Sequence, residues 1–186
     1  GASEYTINLN GNSIVNLIVD KGVLDAMVEN KRTITANGGE IYLTTNAVNE
    51  LLKGVVNNTG ILEASSLDGV TGKIEVFAHG GTGNFGGTLS TGKGEGFIET
   101  SGKVFTNQAD LKIETGSWLI DPVNITIDGA LAGTIQTQLA SGDVTVTTST
   151  AGTDDGDINV NSAISWGSTK YLSLLADRNI YINANI

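Results

Sequence analysis

Short alternations of apolar and polar residues, flanked by glycine, run along most of this chain. The clearest are GEIYLTT (39–45), GKIEVFA (72–78), GFIETSG (96–102) and ADLKIET (109–115). VNITIDG (123–129), GDVTVTT (142–148), GDINVNS (156–162) and NIYINAN (179–185) continue the series. Each places branched aliphatics at alternate positions with Thr, Asn, Glu or Lys between them. This is the pattern of a strand with one buried and one wet face. The phase assigns Ile41, Leu43, Ile74, Val76, Ile125, Ile127, Val144, Val146, Ile158 and Val160 to the inside. Repetition on this scale predicts a solenoid, because one such unit cannot bury its apolar face alone and must stack on its neighbours.

Elsewhere the pattern changes. Residues 4–37 hold two apolar stretches, 14–19 and 23–28, and the second fits either a strand or one helical turn. Val48, Leu51, Leu52 and Val55 fall at i, i+3, i+4 and i+7 behind Asn46, which stands at an N-cap position. That predicts a short helix over residues 47–54. NNTG (57–60) predicts a turn, and ILEA (61–64) a strand. The glycine-dense run 80–96 predicts two tight turns around a weak strand at 88–90. From residue 97 onward, strands of four to six residues recur at spacings of about 8 to 14.

The fold class is therefore all-β: a parallel β-helix with one short helix near 47–54. Gly1, Ala2 and Ser3 read as a cloning remnant, and 4–186 as one β-helical segment of something longer. At roughly 20–25 residues per coil the chain holds about 7–9 coils. At ~4.8 Å between stacked strands they make a rod about 35–45 Å long.

Composition narrows the functional classes. The net charge of −10 over 186 residues argues against nucleic acid or an anionic membrane as a partner. No apolar run approaches the ~20 residues that span a bilayer as a helix. Cysteine is absent, which excludes disulfides, thiolate metal sites and a cysteine nucleophile. It also suits export in an unfolded state through an oxidising compartment.

Candidate chemistry is sparse. Asp154, Asp155 and Asp157 read as a Gly-flanked polar turn; the competing readings are a calcium loop or part of an acidic catalytic constellation. No Glu follows at the end of a 12-residue loop, as an EF-hand requires, and GGTGNF carries Asn84 where a nonapeptide calcium repeat needs Asp. His79 reads as a turn histidine, since no serine sits in a nucleophile elbow. Residues 80–96 lack the Lys-Ser/Thr of a phosphate-binding loop. Trp118 and Trp166 read as core or groove fillers with their N–H groups satisfied, against a role in stacking on sugars. Asn57 and Asn124 open N-x-Ser/Thr motifs and are the possible glycosylation sites. No catalytic residue, metal site or cofactor is expected, and the chain reads as a non-enzyme.

Three motif groups in order carry a resemblance. NGGEIYLTTNAVNELLKGVVNNTGILEA (37–64) resembles the segment of filamentous-haemagglutinin-type adhesins in which a GG-strand precedes a short helix and a VVNNTG turn. GFIETSG and then WLIDPVNITI (118–127) resemble the ETSG and WLIDP signatures of that family's high-molecular-weight adhesins. GDINVNSAISWGSTKYLSLLADRNIYINANI (156–186) is similar to the family's repeat of strand, Ser-Trp turn and strand. The resemblance covers about 150 of the 186 residues.

It implies a large Gram-negative exoprotein, exported by an outer-membrane two-partner transporter and folded as a right-handed parallel β-helix. Such a protein is secreted or held at the cell surface, where it attaches to a host receptor or glycan, to other adhesin rods, or within a biofilm. Cytoplasmic enzymes attach hexoses to asparagines in some members. The NPNG-like and NPDL-like signatures of the family's secretion domain do not occur here, which places this piece near that domain's C-terminal edge or beyond it. Two other readings stay open: a carbohydrate-active β-helix enzyme, which needs convergent carboxylates on one sheet, and the stalk of a contact-dependent growth-inhibition toxin.

Overall fold

A computed structural model describes residues 5–10, 14–19, 27–46, 55–66, 69–149 and 155–186. The chain begins with β1 (Tyr5–Asn10), β2 (Ile14–Val19), β3 (Met27–Asn30) and β4 (Thr33–Thr35). β5 (Glu40–Asn46), β6 (Val55–Asn58), β7 (Ile61–Glu63) and β8 (Lys73–Phe85) follow. Next come β9 (Thr88–Ser90), β10 (Phe97–Asn107), β11 (Lys112–Glu114), β12 (Ser117–Pro122) and β13 (Ile125–Ile127). A helix, α1 (Gly129–Gln138), precedes β14 (Asp143–Thr147), β15 (Ile158–Val160), β16 (Leu172–Leu175) and β17 (Ile180–Ile182). The fold is all-β with one short helix among the described residues.

The described strands form three sheets. The largest runs β1-β2-β5-β8-β10-β12-β14-β16, with β6 beside β8 and β3 beside β6. A second runs β11-β9-β7-β4 and a third β13-β15-β17. Among the described residues every pairing is parallel except the β1–β2 hairpin. Parallel partners cannot be joined by a tight turn, so between two such partners the chain passes through another sheet, as it does through β9 between β8 and β10 and through β15 between β14 and β16. β8 and β10 each serve two stretches of the large sheet. β8 turns at Gly80 (φ 65°), pairing with β5 before the turn and β6 after it. The β10 register shifts between Gly102 and Val104.

Register converts the strand alternation into columns. Ile41, Ile74, Ile98, Trp118, Val144 and Leu172 stand side by side across the large sheet. Leu43, Val76, Thr100, Ile120, Val146 and Leu174 form the next column. All ten positions assigned inward from the sequence are buried. Two of the inward residues that break the aliphatic rule are explained by a neighbouring aromatic. Thr100 accepts the indole N–H of the fully buried Trp118 at 2.9 Å, so the largest side chain of one column is satisfied by the hydroxyl in the next. Gly83 leaves space for the ring of Phe85, since a Cβ there would lie 2.3 Å from Phe85 Cζ. That ring stacks on Phe105 at 4.8 Å, and Phe105 is the cross-strand partner of Gly83.

Glycine recurs at corners for a steric reason. A Cβ on Gly60 would sit 2.1 Å from Arg32 O, and one on Gly87 (φ +66°) 2.1 Å from Gly60 O. The two glycines are stacked corners of successive layers, where one backbone lies directly on the next. The buried Asn30 and Asn58 close their hydrogen bonds between layers. Asn30 Nδ2 donates to Asn58 Oδ1 at 2.9 Å, and Asn58 Nδ2 to Gly86 O at 2.7 Å.

Three sequence expectations change here. Asn57 and Asn58 belong to β6 and leave only Thr59 and Gly60 for the turn, because Asn58 is needed in the buried asparagine ladder. The run 80–96 opens on a bend at Gly80 inside a continuous strand instead of a tight turn: β8 continues to Phe85, with Gly81 and Gly83 at buried, inward positions and residues 82–85 paired on both sides. The strand at Thr88–Ser90 forms as expected. The helix expected over 47–54 lies outside the described residues, whereas residues 129–138, read as part of a strand series, form α1. Asp128 caps it, accepting the amides of Ala130 and Leu131 at 3.2 and 3.3 Å. Leu131, Ala132 and Ile135 are its buried apolar positions. Gln138 completes the join to β11: its Nε2 donates to Thr115 O at 2.7 Å, and its Oε1 accepts the Thr115 amide at 3.4 Å. One side-chain amide thus makes the two bonds that a neighbouring strand would make.

The column arrangement gives a direct test. Ile158→Asp places an unpaired carboxylate at a fully buried site between Ile125 and Ile180 and should cost several kcal/mol. Asn159→Asp, one residue on and turned outward, should leave the urea midpoint nearly unchanged. Equal shifts in the two midpoints would contradict the assigned phase.

A carboxylate row as the candidate functional site

The outer face of the large sheet gathers residues that lie far apart in sequence. Register sets Tyr42 beside Glu75, Glu75 beside Glu99, and Ser101 beside Asp121. Three carboxylates, from β8, β10 and β12, therefore share one face on consecutive strands. Lys73 is the cation among them: its Nζ lies 2.5 Å from Glu75 Oε1 and 3.4 Å from Tyr42 OH. The same ammonium sits 5.2 Å from the Tyr42 ring centroid. Tyr42 OH in turn donates to Glu40 Oε2 at 2.5 Å. Ser101 Oγ donates to Glu99 Oε1 at 2.9 Å.

Electrostatics separates these acids. Burial pushes the Glu99 carboxyl up from its ordinary value, and the charges of Glu75 and Asp121 push it further; the bond from Ser101 and the Lys73 charge oppose this in part. Burial also raises Asp121. Lys73 is raised chiefly by its bond to Glu75. A half-buried acid whose neighbours disfavour its ionisation, beside a carboxylate tied to a lysine, can hold and pass a proton. His79 stands at the β8 turn with its ring 3.8 Å from that of Phe77, and burial lowers its pKa.

The sites singled out from sequence fall elsewhere. Asp155 and Asp157 share one guanidinium: Arg178 Nη1 lies 2.8 Å from Asp155 Oδ2, and its Nε and Nη2 reach the two Asp157 oxygens at 2.9 and 2.5 Å. The Asn179 amide also donates to Asp157, at 3.2 Å. Arg178 holds the Asp157 carboxyl below its ordinary value. These bonds tie the entrance of β15 to that of β17. Asp154 lies outside the described residues, and no group of acids or histidines among the described residues is arranged to hold a metal ion.

The two asparagine motifs differ in surroundings. Asn57 is half-buried, and its Nδ2 donates to Glu29 at 2.9 Å. Asn124 is exposed between β12 and β13, where its Oδ1 accepts the Asp157 amide at 2.7 Å. Trp118 is core, as expected, and the half-buried Trp166 donates to Lys170 O at 2.8 Å.

Sequence reading missed the carboxylate row although a signal was present. GKIE (72–75) and GFIE (96–99) share the form G-x-I-E. Aligning their glycines sets Glu75 on Glu99, and WLID (118–121) then brings Asp121 to the same face. Comparison with family models, curated proteins and solved structures gives no match.

Titration should report the row. An acid whose folded pKa is raised contributes stability that is complete below its unfolded value, about 4.3 for Glu. That contribution is lost as pH rises through the folded pKa. Glu99→Gln should therefore raise the melting temperature at pH 7, by about 1–3 °C, and the gain should shrink on acidification towards pH 4. A variant less stable than the parent at pH 7, or a gain independent of pH, would contradict the assignment. For Asp155 and Asp157, the arginine bridge predicts that a chelator leaves the melting temperature unchanged; a fall of several degrees would instead reveal a bound cation.

Proposed function

We propose that this chain is a rod segment of a large secreted or surface-anchored bacterial adhesin, folded as a right-handed parallel β-helix. The observation that carries the reading is the order in which the chain visits its sheets. β5, β6 and β7 are followed by β8 and β9, and then by β10 and β11, each set stacked in parallel on the one before. Preceded by β2–β3–β4 and continued through β12–β13–α1, β14–β15 and β16–β17, this makes seven circuits. A stack of this kind grows by repetition and needs neither disulfide nor cofactor, which suits a stiff spacer that holds a binding region away from a cell. The adhesin-like motif order and the cysteine-free acidic composition agree with export through an outer-membrane two-partner transporter. The partners of such a rod are a host receptor or glycan, or neighbouring rods.

A second reading draws on Glu75, Glu99 and Asp121. A carbohydrate-active β-helix needs carboxylates converging on one sheet, and these three stand on consecutive strands of the same face.

Force and chemistry separate the two. Pulled from its ends, a rod of nearest-neighbour layers should unfold in successive steps, each releasing one circuit of about 20–33 residues, or roughly 70–110 Å of chain. A single all-or-none rip would contradict the rod. Incubation with neutral and uronic-acid polysaccharides should release no reducing ends. Cleavage that disappears in Glu99→Gln would establish the second reading.

A further inference from the structure

The layers of this stack are not joined equally. β10 and β11 lie on β8 and β9 along three stretches, residues 97–102, 104–107 and 112–114. β8 and β9 are bonded in the same way to β5, β6 and β7. The next join is different. Of the strands after β11, only β12 pairs back, along Phe97–Gly102 of β10. The sheet of β4, β7, β9 and β11 ends at β11, and the sheet of β15 and β17 begins at β13. Among the described residues one ladder therefore crosses this join, where the two joins before it have three. Beyond it the layers are tied by two ladders each, β12–β14–β16 and β13–β15–β17.

At the join α1 stands where a strand would otherwise cover β11, and side chains hold it there. Gln138 makes its two bonds to Thr115, and Thr134 Oγ1 donates to Leu111 O at 3.5 Å. The Lys112 amide donates to Gly87 and the Glu114 carbonyl accepts from Thr91. The alternation of a parallel ladder then turns the Ile113 amide and carbonyl towards α1. A cavity of about 470 Å³ occupies that gap, lined in part by Leu111, Ile113, Ala130, Gly133, Thr134 and Thr137. A Cβ on Gly133 would meet nothing within 4 Å, so the helix does not close on the strand at that point. α1 has 10 residues, short of the roughly 12–15 at which a helix begins to hold without packing. Gly133, Thr134 and Thr137 are poor helix formers as well. The helix depends on the contacts it makes across the join.

We propose that α1 is a latch and that the chain parts at this join, so that β12–β17 and α1 lose their structure while β5–β11 keep theirs. Fewer ladders, a packing gap and a helix that needs its neighbours all fall at one place. In a stack the stability is a sum of layer terms and nearest-neighbour terms, so the smallest neighbour term decides where it divides. The inference rests on the strand pairings alone and is independent of the adhesin reading and of the carboxylate row.

Urea unfolding of the 186-residue chain tests this with two probes. Both of its tryptophans, Trp118 and Trp166, lie beyond the join. Their fluorescence reports that part, whereas far-ultraviolet circular dichroism reports every strand. The fluorescence change should come first and account for only part of the dichroism change. Hydrogen exchange at urea concentrations between the two transitions should find the Val144 and Ile158 amides open and the Lys73 and Thr88 amides still protected. Gln138→Ala removes the latch: the first transition should move to lower urea, and Val144 and Ile158 should exchange about tenfold faster or more, with the second transition unmoved. Gly133→Ala adds a methyl group in open space and favours the helix, so it should move the first transition to higher urea. Coincident transitions by the two probes, with all four amides opening together, overturn the proposal. So does loss of protection at Lys73 and Thr88 before Val144 and Ile158, or a Gly133→Ala chain in which both transitions shift alike.

Discussion

In-register parallel pairing between strands far apart in the chain is the constraint on which the rest of this structure depends. Side chains alternate with period two, so a slip of one residue would turn Ile74, Val76, Ile98 and Ile120 outward and bring Glu75 and Glu99 into the core. The penalty repeats in every layer that shares the column, and burying even one unpaired carboxylate outweighs many van der Waals contacts. The same register that fills the interior creates the outer rows. Glu99 lies between Glu75 and the Asp121 strand because Ile98 lies between Ile74 and Trp118. Core and candidate site are two faces of one pairing.

Polar groups inside the stack are tolerated where a neighbouring layer satisfies them. The Asn30–Asn58–Gly86 chain of bonds, the Thr91–Thr115 hydroxyl pair at 2.7 Å and the Trp118–Thr100 bond all run between layers. Each is satisfied only when two layers are correctly aligned, so they oppose slippage as well as dehydration. Gln138 extends this to the place where a helix takes the position of a strand. Its carboxamide closes the β11 edge at Thr115, which allows the ladder to be interrupted without leaving that peptide bare.

What was legible in the sequence was whatever one strand can state by itself. Ile41 and Leu43, or Ile158 and Val160, declare their inward phase through alternation alone. Relations between strands were not legible to a reading that treated each alternation separately. Thr100 looks like a polar interruption until Trp118 is placed beside it, and Gly83 looks like a turn glycine until Phe85 and Phe105 are seen to use its space. Asn58 resembled a turn residue because asparagine favours turns, yet a buried ladder outweighs that preference. The α1 signal was local, with Asp128 before Leu131 and Ile135, but lay hidden in Thr and Gly residues that also suit strands. For the carboxylate row, the clue lay in the shared G-x-I-E spacing, which has meaning only once the two strands are neighbours.

The central claim is the parallel register itself, and amide-to-α-proton contacts in an NMR spectrum of the isotope-labelled 19.2 kDa chain measure it most directly. Parallel columns predict contacts that link Ile41 to Ile74, Ile74 to Ile98, Ile98 to Trp118 and Trp118 to Val144, with the Trp118 indole proton close to Thr100. Short contacts between α-protons of facing strands, the mark of antiparallel pairing, or a series displaced by one residue would contradict the account.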